Sequence, residues 1–393
     1  MVPKRILPAI VFAQFASASL WFTGNAIIAD LRTEMDVGIE DVGIATSAVQ
    51  LGFIIGTLLF ASLSISDRYS PRKLFLVCSI LGAISNLMIY FIAHNLFSLL
   101  VLRFFTGFFL TGIYPIGMKI TSGWYKKDLG NAIGLLVGAL VVGTSFPHLI
   151  KSFGGSVPWA QVIFIISFFS VVGGITMFFL VPDGPFISSG TKFNPKAILT
   201  IFRYKALRSS AFGYFGHMWE LYTFWALIPV ILIYYLKQNP AELNISFWSF
   251  IIIGSGVIGC VVGGVISKRK GSAKVAFLQL SLSGICCLIS PLMFYTSITV
   301  FLSFLIFWGV VIVGDSPQYS AIIALSAPKE LVGSGLTIVN SIGFTITILS
   351  LWFVYQFLGI IDVSYALMIL AVGPVFGLIS MKNLVFSKSK ILT

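Results

Sequence analysis

Glu220 and His217 stand three residues apart in the apolar stretch Phe215-Gly216-His217-Met218-Trp219-Glu220-Leu221-Tyr222. That spacing puts a carboxylate and an imidazole on one face of a helix. Such a pair can take up and release a proton near neutral pH, where histidine titrates. A second acid, Asp315, lies in Gly314-Asp315-Ser316-Pro317-Gln318-Tyr319. Pro317 removes a backbone donor, so a kink or local unwinding is expected here, leaving Asp315 and Gln318 beside free carbonyls where a substrate or ion can be held. A third apolar stretch carries Arg103 and Lys119. Arg103 can grip a carboxylate through two parallel hydrogen bonds. Lys119 can add positive charge or extend its long side chain to the membrane surface. Trp21 and Asn25 in the first apolar stretch, with Gln14, suit the lining of a cavity. Tyr222 and the neighbouring tryptophans can stack on a substrate or simply pack. His148 reads as a gate or interfacial residue. A structural bridge from Glu220 to a cation on the Arg103 stretch stays open as the alternative to a coupling role.

The elements that must position these groups follow from composition. Of 393 residues, 58% are hydrophobic and only 10% are charged, and the mean hydropathy is +1.00. A soluble domain carries about 25% charged residues to wet its surface. Apolar stretches of helix-spanning length follow one another, at 6–29, 42–65, 73–93, 97–120, 130–150, 158–181, 211–236, 246–267, 274–294, 298–325, 332–358 and 363–386. The expected fold is therefore an all-α polytopic membrane protein with twelve transmembrane helices in two six-helix halves, 1–181 and 211–393. A basic linker, 182–210, joins them. It opens on the breaker cluster Pro182-Asp183-Gly184-Pro185. The first stretch follows Lys4 and Arg5, has no small-residue cleavage site, and is expected to remain as a span.

Basic residues set the orientation. With both termini in the cytoplasm, twenty of the 25 Lys and Arg face inward, while Arg32, Lys151 and Lys237 face outward. Asp30, Glu34, Asp36, Glu40 and Asp41 gather in the first outer loop. The formal charges well inside spans are Arg103, Lys119, Glu220 and Asp315, on the fourth, seventh and tenth spans. A charge at mid-bilayer costs about 2.5–3.5 kcal/mol even on mild scales, so each needs a reason. A period of three spans predicts a polar cavity lined by every third helix.

The loop after the second span, Asp67-Arg68-Tyr69-Ser70-Pro71-Arg72-Lys73, resembles the Asp-Arg-x-Gly-Arg-Lys signature of the major facilitator superfamily, with Ser70-Pro71 in place of the glycine and Leu63 where the family has a preceding glycine. Gly264-Val-Ile-Ser-Lys268-Arg269-Lys270-Gly271 is similar in the second half, without the acid. The fourth span, from Arg103 through Gly107 and Gly112 to Pro115, resembles that superfamily's second motif. The glycines Gly134, Gly138 and Gly143 are similar to its antiporter motif, which this chain shares without the Gly-Pro pair. Residues 117–138 look like the corresponding turn of anion porters. The resemblance implies a conformational latch at Asp67, Arg68 and Arg72, a proton-coupling or anion role for Arg103, and a cavity lined by helices 1, 4, 7 and 10.

No phosphate-binding loop, metal-ligand cluster or nucleophile elbow occurs in the sequence, so neither an enzyme nor an ATP-driven pump is expected. Cys78, Cys260, Cys286 and Cys287 sit in apolar runs and read as small buried hydrophobes. A nucleic-acid partner is excluded because a phosphate-binding surface needs a soluble face. The expected protein is a monomeric secondary transporter of the plasma (inner) membrane, with the lipid bilayer, protons and a small-molecule substrate as partners. It needs no cofactor beyond a proton gradient, works by symport, and moves a small polar solute, an organic anion being favoured. The alternatives are a proton-coupled exporter of drugs or amphipathic metabolites and a transporter-like sensor without flux. The orientation is open to a direct check. An impermeant thiol reagent is expected to label Lys237→Cys on intact cells, and Lys268→Cys only after permeabilisation.

Overall fold

The computed structural model describes residues 2–35, 40–126, 129–153, 159–186, 194–195, 202–326, 331–358 and 360–386, with side chains omitted at 32–35 and 40. Among them, twelve helices are long and apolar enough to cross a membrane. They are α1 (Ile6–Leu31), α2 (Asp41–Ser62), α3 (Pro71–Ile92), α4 (Leu96–Trp124), α5 (Leu129–Ser152) and α6 (Trp159–Leu180), then α7 (Lys205–Gln238), α8 (Ile245–Lys270), α9 (Ser272–Met293), α10 (Ile298–Ser326), α11 (Val332–Phe357) and α12 (Val363–Phe386). The described residues contain no strand. This is an all-α, multi-pass membrane protein. Of the basic residues that set the expected orientation, Lys127, Lys192, Lys196, Lys329, Lys388 and Lys390 lie outside the described residues, as does Asp36; the side chains of Arg32, Glu34 and Glu40 do too.

The chain forms two compact units, Met1–Lys192 with Leu243–Gly254, and Phe193–Glu242 with Ser255–Thr393. The α8 helix turns at Ser255, between the segments Ile245–Gly254 and Gly256–Lys270. Its first segment packs on α5 inside the first unit. The α7 helix starts at Lys205 rather than at 211, so part of the expected linker is helical. Lys205 and Arg208 can run along the helix and keep their charged heads in water, which lengthens the helix without placing charge in hydrocarbon.

Lipid gives apolar side chains no reason to leave it, so helices associate by close packing and internal hydrogen bonds. In the first unit α1, α3 and α6 share a hydroxyl ladder. Ser17 Oγ is 3.1 Å from Ser79 Oγ, Ser170 Oγ donates to the Ser79 carbonyl at 3.1 Å, and Asn86 Nδ2 donates to Ser167 Oγ at 3.0 Å. The α2 and α4 helices meet backbone to backbone, with Gly107 lying on the Val49 carbonyl. The second unit repeats the device where Gly259 of α8 lies on the Val310 carbonyl of α10.

Besides α8, three helices are interrupted among the described residues. The α1 segments Ile6–Ala18 and Thr23–Met35 are separated by Ser19–Phe22, α4 breaks between Leu110 and Tyr114, and α10 breaks at Gly314-Asp315. The α10 break falls where Pro317 places it. Pro115 accounts for the α4 break in the same way, by removing a donor one turn below Thr111. Ser19-Leu20-Trp21-Phe22 contains neither glycine nor proline, and its explanation is tertiary. The α7 helix, which carries Glu220, runs unbroken over 34 residues.

A methyl group at Gly107 would overlap the Val49 carbonyl, whereas one at Gly130 meets nothing within 4 Å. Gly107→Ala is expected to cost about 1–3 kcal/mol, read as a lower Tm of the detergent-solubilised protein, with Gly130→Ala neutral.

Candidate functional site

The second unit holds a buried, titratable core. Glu220 reaches away from lipid towards α9 and α10. Its Oε1 accepts from Trp308 Nε1 at 2.7 Å, from Ser283 Oγ and from Cys287 Sγ at 3.3 Å. Ser283 and Cys287 are four apart on α9, so a single face presents both donors. The Phe224 ring packs at a tilt against the Trp308 indole, with centroids 4.4 Å apart. One turn earlier on α7, His217 Nδ1 stands 2.8 Å from Asp315 Oδ1. Asp315 owes that position to the α10 break, whose next turn begins with Gln318 and Tyr319 amides donating to the Asp315 carbonyl at 2.9 and 3.1 Å. The rings of Tyr214 and Tyr319 flank His217, each centroid 5.9 Å away.

His217, Glu220 and Asp315 are each 1% exposed, and they are the buried ionisable acid and base groups of this unit among the described residues, with no buried Lys or Arg beside them. Two carboxyls and one imidazole, with no permanent cation beside them among the described residues, are groups whose charge can change only by gaining or losing protons. The arrangement can therefore store and pass protons. The sequence places His217 with Glu220 on one helix face; the structure couples His217 to Asp315 and gives Glu220 to Trp308, Ser283 and Cys287. Gln318 is buried beside them, and Tyr222 lies in a ring cluster 5.3 Å from Trp225 and 5.4 Å from Phe344.

In the first unit Arg103 of α4 is 1% exposed. Its Nη1 donates to the Leu20 carbonyl at 3.2 Å and its Nη2 to the Trp21 carbonyl at 2.5 Å. Those carbonyls belong to the α1 interruption, so Arg103 bonds α4 to the break. Glu220 and Arg103 each have the partners named above within their own unit. Trp21 packs 5.0 Å from Phe53, and Asn25 Nδ2 donates to Thr46 Oγ1 at 2.8 Å, which ties α1 to α2. Gln14 and His148 are buried, the first with no partner for its amide and the second with none for Nε2.

Lys119 does not join these groups. It donates to Asp67 at 2.5 Å and to the Ser66 carbonyl at 2.6 Å. Its place is at the end of the unit expected to face the cytoplasm, as the surface-directed reading of its long side chain has it. The latch residues divide accordingly: Asp67 pairs with Lys119, while Arg72 lies 3.8 Å from Asp183 and 5.4 Å from the Phe178 ring. Ser70 also donates to Asp183, at 3.0 Å, and Arg68 is exposed.

Sequence reasoning missed Ser283, Cys287 and Trp308. The i, i+4 pairing of Ser283 with Cys287 was the available signal, and their meeting with Glu220 depends on tertiary packing. All four cysteines are free and buried, as read, but Cys287 also acts as a weak donor.

A family profile described as Major Facilitator Superfamily matches residues 10–351. A curated relative, the citrinin biosynthesis cluster MFS transporter mrr1 of Monascus ruber, is 25% identical over 186 residues, covering 43% of this chain and 36% of that protein's length. Among solved structures, the MFS proton:xylose symporter XylE bound to 6-bromo-6-deoxy-D-glucose shares the fold, with a TM-score of 0.75 at 12% identity over 97% of this chain and 95% of that one.

A double-mutant cycle tests the second-unit core. Trp308→Phe keeps the ring against Phe224 and removes the donor to Glu220. With Glu220→Gln it is expected to show a coupling of about 1–3 kcal/mol in unfolding, whereas Trp308→Phe with Asn25→Ala should be additive.

Proposed function

The chain belongs to the major facilitator superfamily, a family of transporters rather than enzymes, and from that premise we propose a proton-coupled secondary transporter. It works by alternating access and moves a small polar solute, an organic anion being favoured. The observation that carries the reading is the buried set His217, Glu220 and Asp315, which has no buried permanent counter-charge among the described residues of its unit. A side chain of this kind at mid-depth exchanges a proton whenever its access changes from one side of the membrane to the other. The solved relative that shares the fold is itself named a proton symporter, which supports the same coupling. Arg103 supplies positive charge in the first unit and supports the preference for anions.

The rings around the two acids favour a second reading, an exporter of amphipathic cations. Tyr214, His217 and Tyr319 form a continuous aromatic group beside Asp315, and cations are attracted to such faces.

Purified protein in liposomes loaded with a pH dye separates the two. Organic anions are expected to trigger proton movement in the wild type, and lipophilic cations to leave the dye unchanged; the reverse pattern selects the exporter. Asp315→Asn and Glu220→Gln are each expected to abolish the solute-driven proton signal while solute exchange across the membrane persists. A proton signal that survives in both variants removes the assigned role of the buried acids.

A further inference from the structure

Gln50 lies in mid-α2, fully buried, and neither its amide nitrogen nor its amide oxygen has a hydrogen-bond partner. A buried amide with nothing to bond loses its hydration without compensation, so such a group persists where something else pairs with it. Its neighbours along α2 fix its place. Thr46, one turn before, accepts from Asn25. Phe53, one turn after, packs on Trp21. Positions 46, 50 and 53 fall on one helical stripe, so Gln50 stands on the part of α2 that runs along residues 21–25 of α1.

Arg103 lies against that same stretch of α1. Two of its nitrogens bind the carbonyls of the interruption, and Nε rests in the space left by Gly24, where a methyl group would come within 2.9 Å of it. The Nε–H has no partner of its own. Among the described residues Arg103 is the buried formal charge of the first unit, with no buried carboxylate to match it. Carbonyl dipoles solvate a guanidinium without cancelling its charge.

We propose that Gln50 and Arg103 form a ligand subsite beside the α1 interruption that takes a hydroxylated organic anion. This rests on the transporter reading above and adds to it a specificity residue and a substrate class. A carboxylate of the ligand accepts from Arg103 Nε–H and from the Gln50 amide nitrogen, and a hydroxyl on the adjacent carbon donates to the Gln50 amide oxygen. The amide supplies both senses of hydrogen bond, which a second cation could not. A plain carboxylate leaves the Gln50 oxygen unpaired, and a neutral polyol leaves Arg103 without a counter-charge. Hydroxy acids satisfy both.

Matched compounds test this on the purified full-length protein. Lactate, malate and gluconate are compared at equal millimolar concentration with propionate and succinate, which lack the hydroxyl, and with sorbitol, which lacks the charge. At least one hydroxy acid is expected to raise the Tm and to bind about tenfold more tightly than its matched compound. Gln50→Glu sets a carboxylate beside Arg103. It is expected to raise the Tm of the ligand-free protein and to erase the shift given by the acid. Gln50→Asn keeps the amide on a shorter stem and is expected to fold normally and bind more weakly. The proposal is overturned if no hydroxy acid shifts the Tm, if the matched compounds bind as well, or if Gln50→Glu leaves the shift intact. Proton movement driven by some other solute, without any shift by the acids, overturns the subsite and spares the transporter reading. Acid-induced shifts that Gln50→Glu erases, without proton movement for any solute, uphold the subsite and remove the coupling.

Discussion

Inside a bilayer a backbone carbonyl has no water to bind, so a helix can break only where protein donors meet the groups it releases. In this protein that constraint decides where the long polar side chains go. The α1 helix is interrupted at Ser19–Phe22, and Arg103 supplies the donors. Ser19 Oγ donates to Ala16 at 2.6 Å and Thr23 Oγ1 to Ser19 at 3.0 Å, closing the two ends locally. With those bonds in place the guanidinium is fixed against α1 at Leu20, Trp21 and Gly24.

The two units answer the cost of buried polarity in opposite ways. In the first, the charge is permanent and its partners are main-chain dipoles that a proton cannot remove. In the second, acids and an imidazole are held by neutral donors and by each other, and their charge depends on where the protons sit. A permanent cation suits recognition of an anion, whereas a set of exchangeable charges suits coupling. The Asp67–Lys119 and Arg72–Asp183 pairs are only partly buried, with side chains 20–45% exposed. Solvent screens such pairs, so each contributes little to stability.

Much of this was legible beforehand. The spans could be read because crossing hydrocarbon demands a fixed length of apolar residues, and the α10 interruption could be read because Pro317 lacks an amide hydrogen. Glu220, His217, Asp315 and Arg103 stood out because an ionisable group in an apolar run is costly. The pairings among them were not legible. Three-residue spacing placed His217 with Glu220, yet the partners that satisfy each come from α9 and α10, and the pairing of Lys119 with Asp67 was equally hidden.

Composition and local chemistry thus determined the number of helices, the kind of solvent around them and which ionisable residues are costly enough to need partners, since these depend on transfer energies and backbone donors that each residue brings with it. Tertiary structure alone decided that Ser19–Phe22 would open, that Arg103 would bond its carbonyls, and that Gln50 would be buried on α2. Those outcomes depend on which faces of separate helices meet, and α1, α2 and α4 contribute residues up to 84 positions apart (Ser19 to Arg103), too distant for any local pattern to record.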